Sequence, residues 1–218
     1  MKNENLERLL SEKRLDTYYK LFNGDKNKAI EYYKLNTKVS EAFYPMLANL
    51  EIALRNSVHQ SFVVRFDTEN WFETVEYQDL ADQIKIAQSK IIRSKQQLSC
   101  DKIVAELTFG FWTSLFNKQY AKLFWRPLMF AFKELDNEEK QRDKIAYKLN
   151  QVRKFRNRVF HYEPICNNLL ALKTNYTNIV DILNWLDKDL VAWTLTNENF
   201  EILYKKAVDF RKYMKHFC

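Results

Sequence analysis

The stretch Leu47-Ala48-Asn49-Leu50-Glu51-Ile52-Ala53-Leu54-Arg55-Asn56-Ser57-Val58-His59-Gln60-Ser61-Phe62 decides the fold class. Its residues Leu47, Leu50, Leu54, Val58 and Phe62 fall at i, i+3, i+7, i+11 and i+15. That is the apolar stripe of a helix facing a core, and it does not match the two-residue alternation of a strand. The pattern predicts a long helix over about 39–66, with Pro45 in its early part as a place for a kink. Outward from it the same period recurs. Upstream, Leu6, Leu9, Leu10 and the Tyr18/Tyr19/Leu21/Phe22 cluster predict a first helix over about 4–22. Asn23-Gly24-Asp25 breaks it, and Asp25 is placed to cap a short helix carrying Ala29, Ile30, Tyr32 and Tyr33. Downstream, Asp67 to Asn70 read as a loop. Leu80, Ile84, Ala87 and Ile91 then line a helix over about 78–98, with Lys85, Lys90, Arg93 and Lys95 outside. Further helices are expected at about 118–134, 137–162, 174–191 and 198–215, the last on Phe200, Leu203, Ala207, Phe210 and Met214.

Composition agrees with an all-α chain. Of 218 residues, 46% are hydrophobic, and only two, Gly24 and Gly110, are glycine. So few glycines exclude a P-loop and a dinucleotide fingerprint, and they argue against a hairpin-rich sheet. Pro45, Pro127 and Pro164 are the only prolines. Neither a repeat nor a low-complexity linker interrupts the pattern, so one domain over 1–218 is expected. Cys100, Cys166 and Cys218 are too widely spaced for a zinc site or a disulfide framework, and Cys166 and Cys218 read as incidental thiols. No metal site and no cofactor is expected. No apolar run is long enough to span a membrane, and the polar start of the chain does not read as a signal peptide, so a cytoplasmic protein is the default. The formal charge of +7 favours a polyanionic partner, nucleic acid before a membrane surface.

The segment with chemical content is Arg153-Lys154-Phe155-Arg156-Asn157-Arg158-Val159-Phe160-His161-Tyr162-Glu163-Pro164-Ile165. Pro164 disfavours helical geometry at Glu163, which puts His161 in the last turn of its helix. Cleavage of RNA without a metal needs a base for the ribose 2′-OH, a cation for the charge growing on phosphorus, and an acid for the leaving oxygen. Histidine suits the proton transfers and arginine the phosphate. Asn157 offers hydrogen bonds to either. Arg153, Lys154, Arg158 and Lys148 add a basic surface for the strand. An ideal helix, however, separates Arg156 and His161 by roughly 140°. They share a site only if the helix end is distorted or another helix closes the site from outside. An Arg and a His at a helix end also read as a cap and a dipole partner.

The string Arg156-Asn157 to His161, followed by Glu163-Pro164-Ile165, resembles the R-N-x-x-x-H signature of HEPN ribonucleases, and in particular the Abi-like abortive-infection proteins. Leu50-Glu51-Ile52-Ala53-Leu54-Arg55-Asn56 resembles that family's acid-then-base helix, and Leu107-Thr108-Phe109-Gly110-Phe111-Trp112 its aromatic-glycine segment. The resemblance spans roughly residues 45–165. It implies a HEPN-like helical bundle with additional N- and C-terminal helices: an extension over about 1–37 and a core over about 38–215. It further implies Arg156 and His161 as the catalytic pair with Asn157 beside them, and Glu51 and Arg55 as support. The implied products are a 2′,3′-cyclic phosphate and a 5′-hydroxyl. A single motif per chain implies a homodimer with a composite site, and a toxin of this kind implies a neutralising RNA or protein antitoxin.

Glu51 and Arg55, at i and i+4 with the acid first, also read as an ordinary intrahelical ion pair. His59 shares their stripe and reads as a group that approaches the site without belonging to it, while His216 reads as incidental. The rival to an enzyme is a non-catalytic RNA-binding module using the same charges. Trp71, Phe109, Phe111, Trp112 and Trp125 are candidates for base stacking, with core packing the expected role for most.

Overall fold

The computed structural model describes residues 3–196 and 198–215, with side chains described from residue 5 to residue 212 apart from residue 197. Met214, His216 and Cys218 therefore lie outside the described side chains. Among the described residues there are eleven α-helices and no strand. No helix among them is long and apolar enough to cross a membrane.

The organising element is α3 (Lys26–Phe66). It buries Phe43, Leu47, Leu50, Leu54, Val58 and Phe62 along one stripe. The sequence suggests a short helix followed by a long one. The structure joins them into one helix of 41 residues, which runs through Pro45 and past residue 37 without a break. Asp25 caps its start by accepting from the Lys28 amide at 3.1 Å, and Asp67 ends it in the left-handed region at φ 55. Tertiary packing overrides the proline here: Phe43 and Met46 on either side of Pro45 are fully buried.

The expected first helix is two: α1 (Asn3–Leu10) and α2 (Glu12–Leu21). They part at Ser11, whose side chain accepts from the Arg14 amide and so starts α2. On the far side of α3 come α4 (Gln78–Arg93), α5 (Cys100–Glu106), α6 (Phe109–Ser114) and α7 (Ala121–Met129). The break expected around Gly110 falls at Leu107–Thr108, with Thr108 capping α6 and Gly110 inside it. Helix α8 (Arg142–Phe160) carries the motif, and α9 (Leu169–Leu186), α10 (Lys188–Leu195) and α11 (Phe200–Lys215) close the bundle. Helix α3 packs against α2 and α5 through α11.

The core is unusually aromatic. Phe43 meets Phe155 of α8 edge-on at 4.7 Å and Phe200 of α11 at 5.0 Å. Trp71, Phe109, Phe111 and Trp112 are buried and Trp125 is half-buried against the core, so none of them is a free platform for bases.

Candidate functional site

The end of α8 is a Schellman motif built without glycine. The Glu163 amide donates to the Arg158 carbonyl at 2.9 Å and the Tyr162 amide to the Val159 carbonyl at 3.1 Å. This requires Tyr162 at φ 58, a region that bulky residues rarely occupy. Surrounding contacts hold it there. Arg14 of α2 donates to the Tyr162 carbonyl at 2.9 Å. Arg158 bonds the Glu163 carboxylate at 2.9 Å and the Pro164 carbonyl at 3.3 Å. Asn36, buried in α3, donates to the Glu163 carbonyl and accepts from the Cys166 amide at 3.0 Å, and the Tyr32 hydroxyl donates to the Cys166 carbonyl. The Glu-Pro-Ile segment is thus the strap that fixes the helix end, and with it His161, to α2 and α3.

One turn earlier, Arg156 turns inward to α3. Its Nη2 lies 3.4 Å from Glu51 Oε2, with the side chains 32% and 27% exposed. The guanidinium sits 4.4 Å over the Phe160 ring, and that ring stacks on Tyr44 of α3 at 5.4 Å. Arg156 Nε is buried with no hydrogen-bond partner. A native chain rarely leaves such a donor unsatisfied without reason, because the lost hydrogen bonding costs about 1–3 kcal/mol and more for a charged group.

Arg55 does not pair with Glu51 as the i, i+4 spacing suggested. It donates to Asn56 Oδ1 at 3.4 Å and to the Ala105 carbonyl of α5 at 3.5 Å. The half-buried Arg156 has little water to solvate it, so the Glu51 carboxylate serves as its counter-charge across the helices, whereas Arg55 reaches α5.

His161 and Asn157 are both exposed. The helix keeps α geometry through Phe160, and the His161 amide still bonds the Asn157 carbonyl at 2.9 Å. The distortion that would swing the imidazole towards Arg156 is absent from these residues. The separation of roughly 140° therefore stands, with the guanidinium aimed at α3 and the imidazole at solvent. Within one chain the two groups diverge.

Comparison with protein-family models, with curated proteins and with solved structures found no match to this chain.

Of the four cations expected to bind a strand, only Lys154 is exposed. Arg158 is engaged in the strap. Lys148 pairs with Asp181 of α9 and lies 4.8 Å over Trp185. Arg153 is half-buried, bonds Asn150, and runs its aliphatic part past Gly110. Successive residues of α8 are turned about 100° apart, so cations close in sequence reach different neighbours instead of forming one stripe.

His59 is held in a separate chain of contacts with Trp71 and Cys100. The Trp71 indole donates to His59 Nδ1 at 3.0 Å, and His59 Nε2 lies 3.8 Å from Cys100 Sγ. Cys100 in turn donates to the Glu69 carbonyl at 3.3 Å. An indole N–H can only donate, so the neutral ring carries its proton on Nε2 and has no lone pair left for Cys100. Burial holds the His59 imidazole below its ordinary value and the Cys100 thiol above its own. The pair is a structural clasp and not an activated nucleophile. Cys166 is fully buried and its thiol is pushed to about 12 by burial. Tyr44, Phe160, Arg14 and Asn36 were not singled out from sequence. Asn36 had a signal, being a polar residue in the buried stripe of α3, and Phe160 had one in its place four residues after Arg156.

Proposed function

We propose that the protein is a metal-independent endoribonuclease of the HEPN type, a toxin in phage abortive infection or toxin–antitoxin defence. The observation that carries this reading is Arg156. It is a guanidinium oriented by Glu51 and Phe160, with an unpaired buried Nε, on the same clamped helix end as an exposed imidazole. Such a cation is preorganised for charge that develops on a phosphate.

In the proposed reaction His161 accepts the proton of the ribose 2′-OH and the 2′-oxygen attacks phosphorus. The bond to the 5′-oxygen breaks, and an imidazolium returns a proton to it. The products are a 2′,3′-cyclic phosphate and a 5′-hydroxyl, with the charge between them stabilised by Arg156. Because the two groups diverge in one chain, the site is completed by a second copy whose His161 faces the first copy's Arg156. Phe160 and Tyr162, 41% and 64% exposed beside the pair, supply apolar surface for that seam. A neutralising RNA or protein would act by covering this helix end.

The same divergence favours the second reading, a module that grips RNA without cutting it. Purified wild type and His161→Ala, incubated with RNA in EDTA and followed by mapping of 5′-hydroxyl ends, separate the two. Loss of cleavage by about 10²-fold or more with RNA affinity retained supports the enzyme. RNA bound tightly by both and cut by neither establishes the module. Equal cleavage by both removes His161 from the chemistry.

A further inference from the structure

An open groove lies on the other flank of α3, between its C-terminal half and the end of α7. It encloses about 830 Å³, in the range that holds a small organic ligand. Apolar atoms make up most of its surface, but the exposed large apolar side chains are only two, Val64 and Phe130, with the buried Pro127 beneath them. Phe130 is 67% exposed and Val64 is 75% exposed, although both are ordinarily buried types. Asn56 and Gln60 of α3 line it with amides. Its rim carries Arg65, Arg126 and Lys133, all exposed, and the lining includes no carboxylate. None of the three cations meets an acid within ion-pair distance among the described residues, whereas Lys188 nearby pairs with Glu134.

We infer that this groove is a subsite for one unpaired nucleobase of a single-stranded RNA, held at Phe130 with its flanking phosphates on Arg65, Arg126 and Lys133. Each part of a nucleotide has a counterpart. The exposed ring offers a stacking face that every base can use. The side-chain amides bring both donors and acceptors, as a base edge requires. Cations without internal partners suit phosphate, and an uncompensated positive rim excludes a basic partner. An acidic amphipathic helix fits the charge better than it fits the floor, because helix-in-groove recognition needs a line of side-chain pockets over several turns and here the exposed large apolar side chains are Val64 and Phe130 alone.

The groove and the proposed cleavage site share α3. Arg55, which flanks Glu51, donates to Asn56 Oδ1 on the groove wall. Gln60 lies about 14 Å along α3 from Glu51 and about 180° around its axis, so a strand reaching both sites would cross the helix. The inference rests on the endoribonuclease reading in assigning the bound strand as substrate, and it makes the groove a determinant of which single strands are captured.

The test uses the full chain carrying His161→Ala, so that the probe is not consumed, and a fluorescent single-stranded RNA hexamer together with the same hexamer made abasic. Phe130→Ala is expected to weaken the base-bearing hexamer roughly 5- to 100-fold and to leave the abasic one unchanged. Arg126→Ala with Lys133→Ala should weaken both and lower the salt dependence by about 1.4 in the log–log slope. Both residues are exposed, so the fold tolerates these changes. Equal binding of the two hexamers, or base preference that survives Phe130→Ala, overturns the subsite while leaving the cleavage proposal standing. No salt-sensitive binding of RNA by any form removes both. A glutamate-rich peptide whose binding depends on Phe130 while RNA binding does not would assign the groove to a protein partner instead.

Discussion

Two residues pull against local preference, and each yields a measurable consequence. Tyr162 holds φ 58 at the C′ position that glycine usually fills. Its ring is 64% exposed, so it gains little from burial in exchange for that geometry. Strain of this sort is kept where the surroundings over-determine it, often beside a site. Tyr162→Gly should therefore raise the unfolding free energy by about 0.5–1 kcal/mol, the release of left-handed strain being partly offset by the greater freedom of glycine in the unfolded chain. If the ring belongs to the seam between copies, the same variant should cut RNA more slowly. Urea unfolding and cleavage assays on one preparation measure both, and a destabilised variant would refute the strain argument. His59 supplies a pH dependence. Burial holds its imidazole below the ordinary value, and protonating Nδ1 would also sever the Trp71 hydrogen bond. The unfolded chain takes up a proton near pH 6.5 and the folded one resists it. Stability present above about pH 6.5 is therefore lost as the pH falls towards the depressed folded value. Urea midpoints between pH 7.5 and 5.5 should decline in wild type and decline less in His59→Gln, whose amide oxygen still accepts from Trp71. Equal slopes would place the titrating group elsewhere.

At the scale of elements, α3 gathers the fold around itself and also contains its least favourable residue. Pro45 has no N–H for the carbonyl four residues earlier, an interior defect worth about 3 kcal/mol in a regular helix. Pro45→Ala should stabilise the protein by an amount between zero and that figure, because the packed neighbours Phe43 and Met46 limit how far the helix can straighten. A loss of stability in chemical denaturation would mean that the backbone shape set by the proline is itself needed for packing. The same helix marks where local reading succeeds. Leu47, Leu50, Leu54, Val58 and Phe62 announced its stripe because spacing maps directly onto one face. The stripe of α4 was legible for the same reason, its four named residues all being buried. Boundaries were less legible. Nothing local said that residues 26–38 and 39–66 are one rod, since the join at Asn36-Thr37-Lys38 is polar and its continuity depends on partners distant in the chain, such as the Cys166 amide on Asn36. The division at Ser11 depends on one side-chain bond to the Arg14 amide, which competes closely with helix continuation.

For the whole molecule, side-chain type was readable and side-chain partner was not. Arg156 and His161 stood out by residue type and spacing, and the angle between them followed from helix geometry. That Glu51 would choose Arg156 over Arg55, or that Lys148 and Arg158 would be engaged with Asp181 and Glu163, depends on which helices meet. The strap from Asn36 to Cys166 joins residues 130 apart in the chain, a separation no local pattern reveals. The diverging pair then yields a prediction that no single-chain mechanism shares. In a twofold dimer each site would combine Arg156 of one copy with His161 of the other. Arg156→Ala and His161→Ala homodimers should both be inactive. Mixed and allowed to exchange, they form heterodimers in which one site carries both defects and the other carries none. With random exchange, half the dimers are mixed and half their sites are intact, so about one quarter of wild-type cleavage should return. Sites assembled within one chain would restore nothing on mixing, because every chain present lacks one of the two groups. Activity recovered in step with subunit exchange, measured by the rate at which 5′-hydroxyl ends appear, would locate the missing half of the site on the second copy.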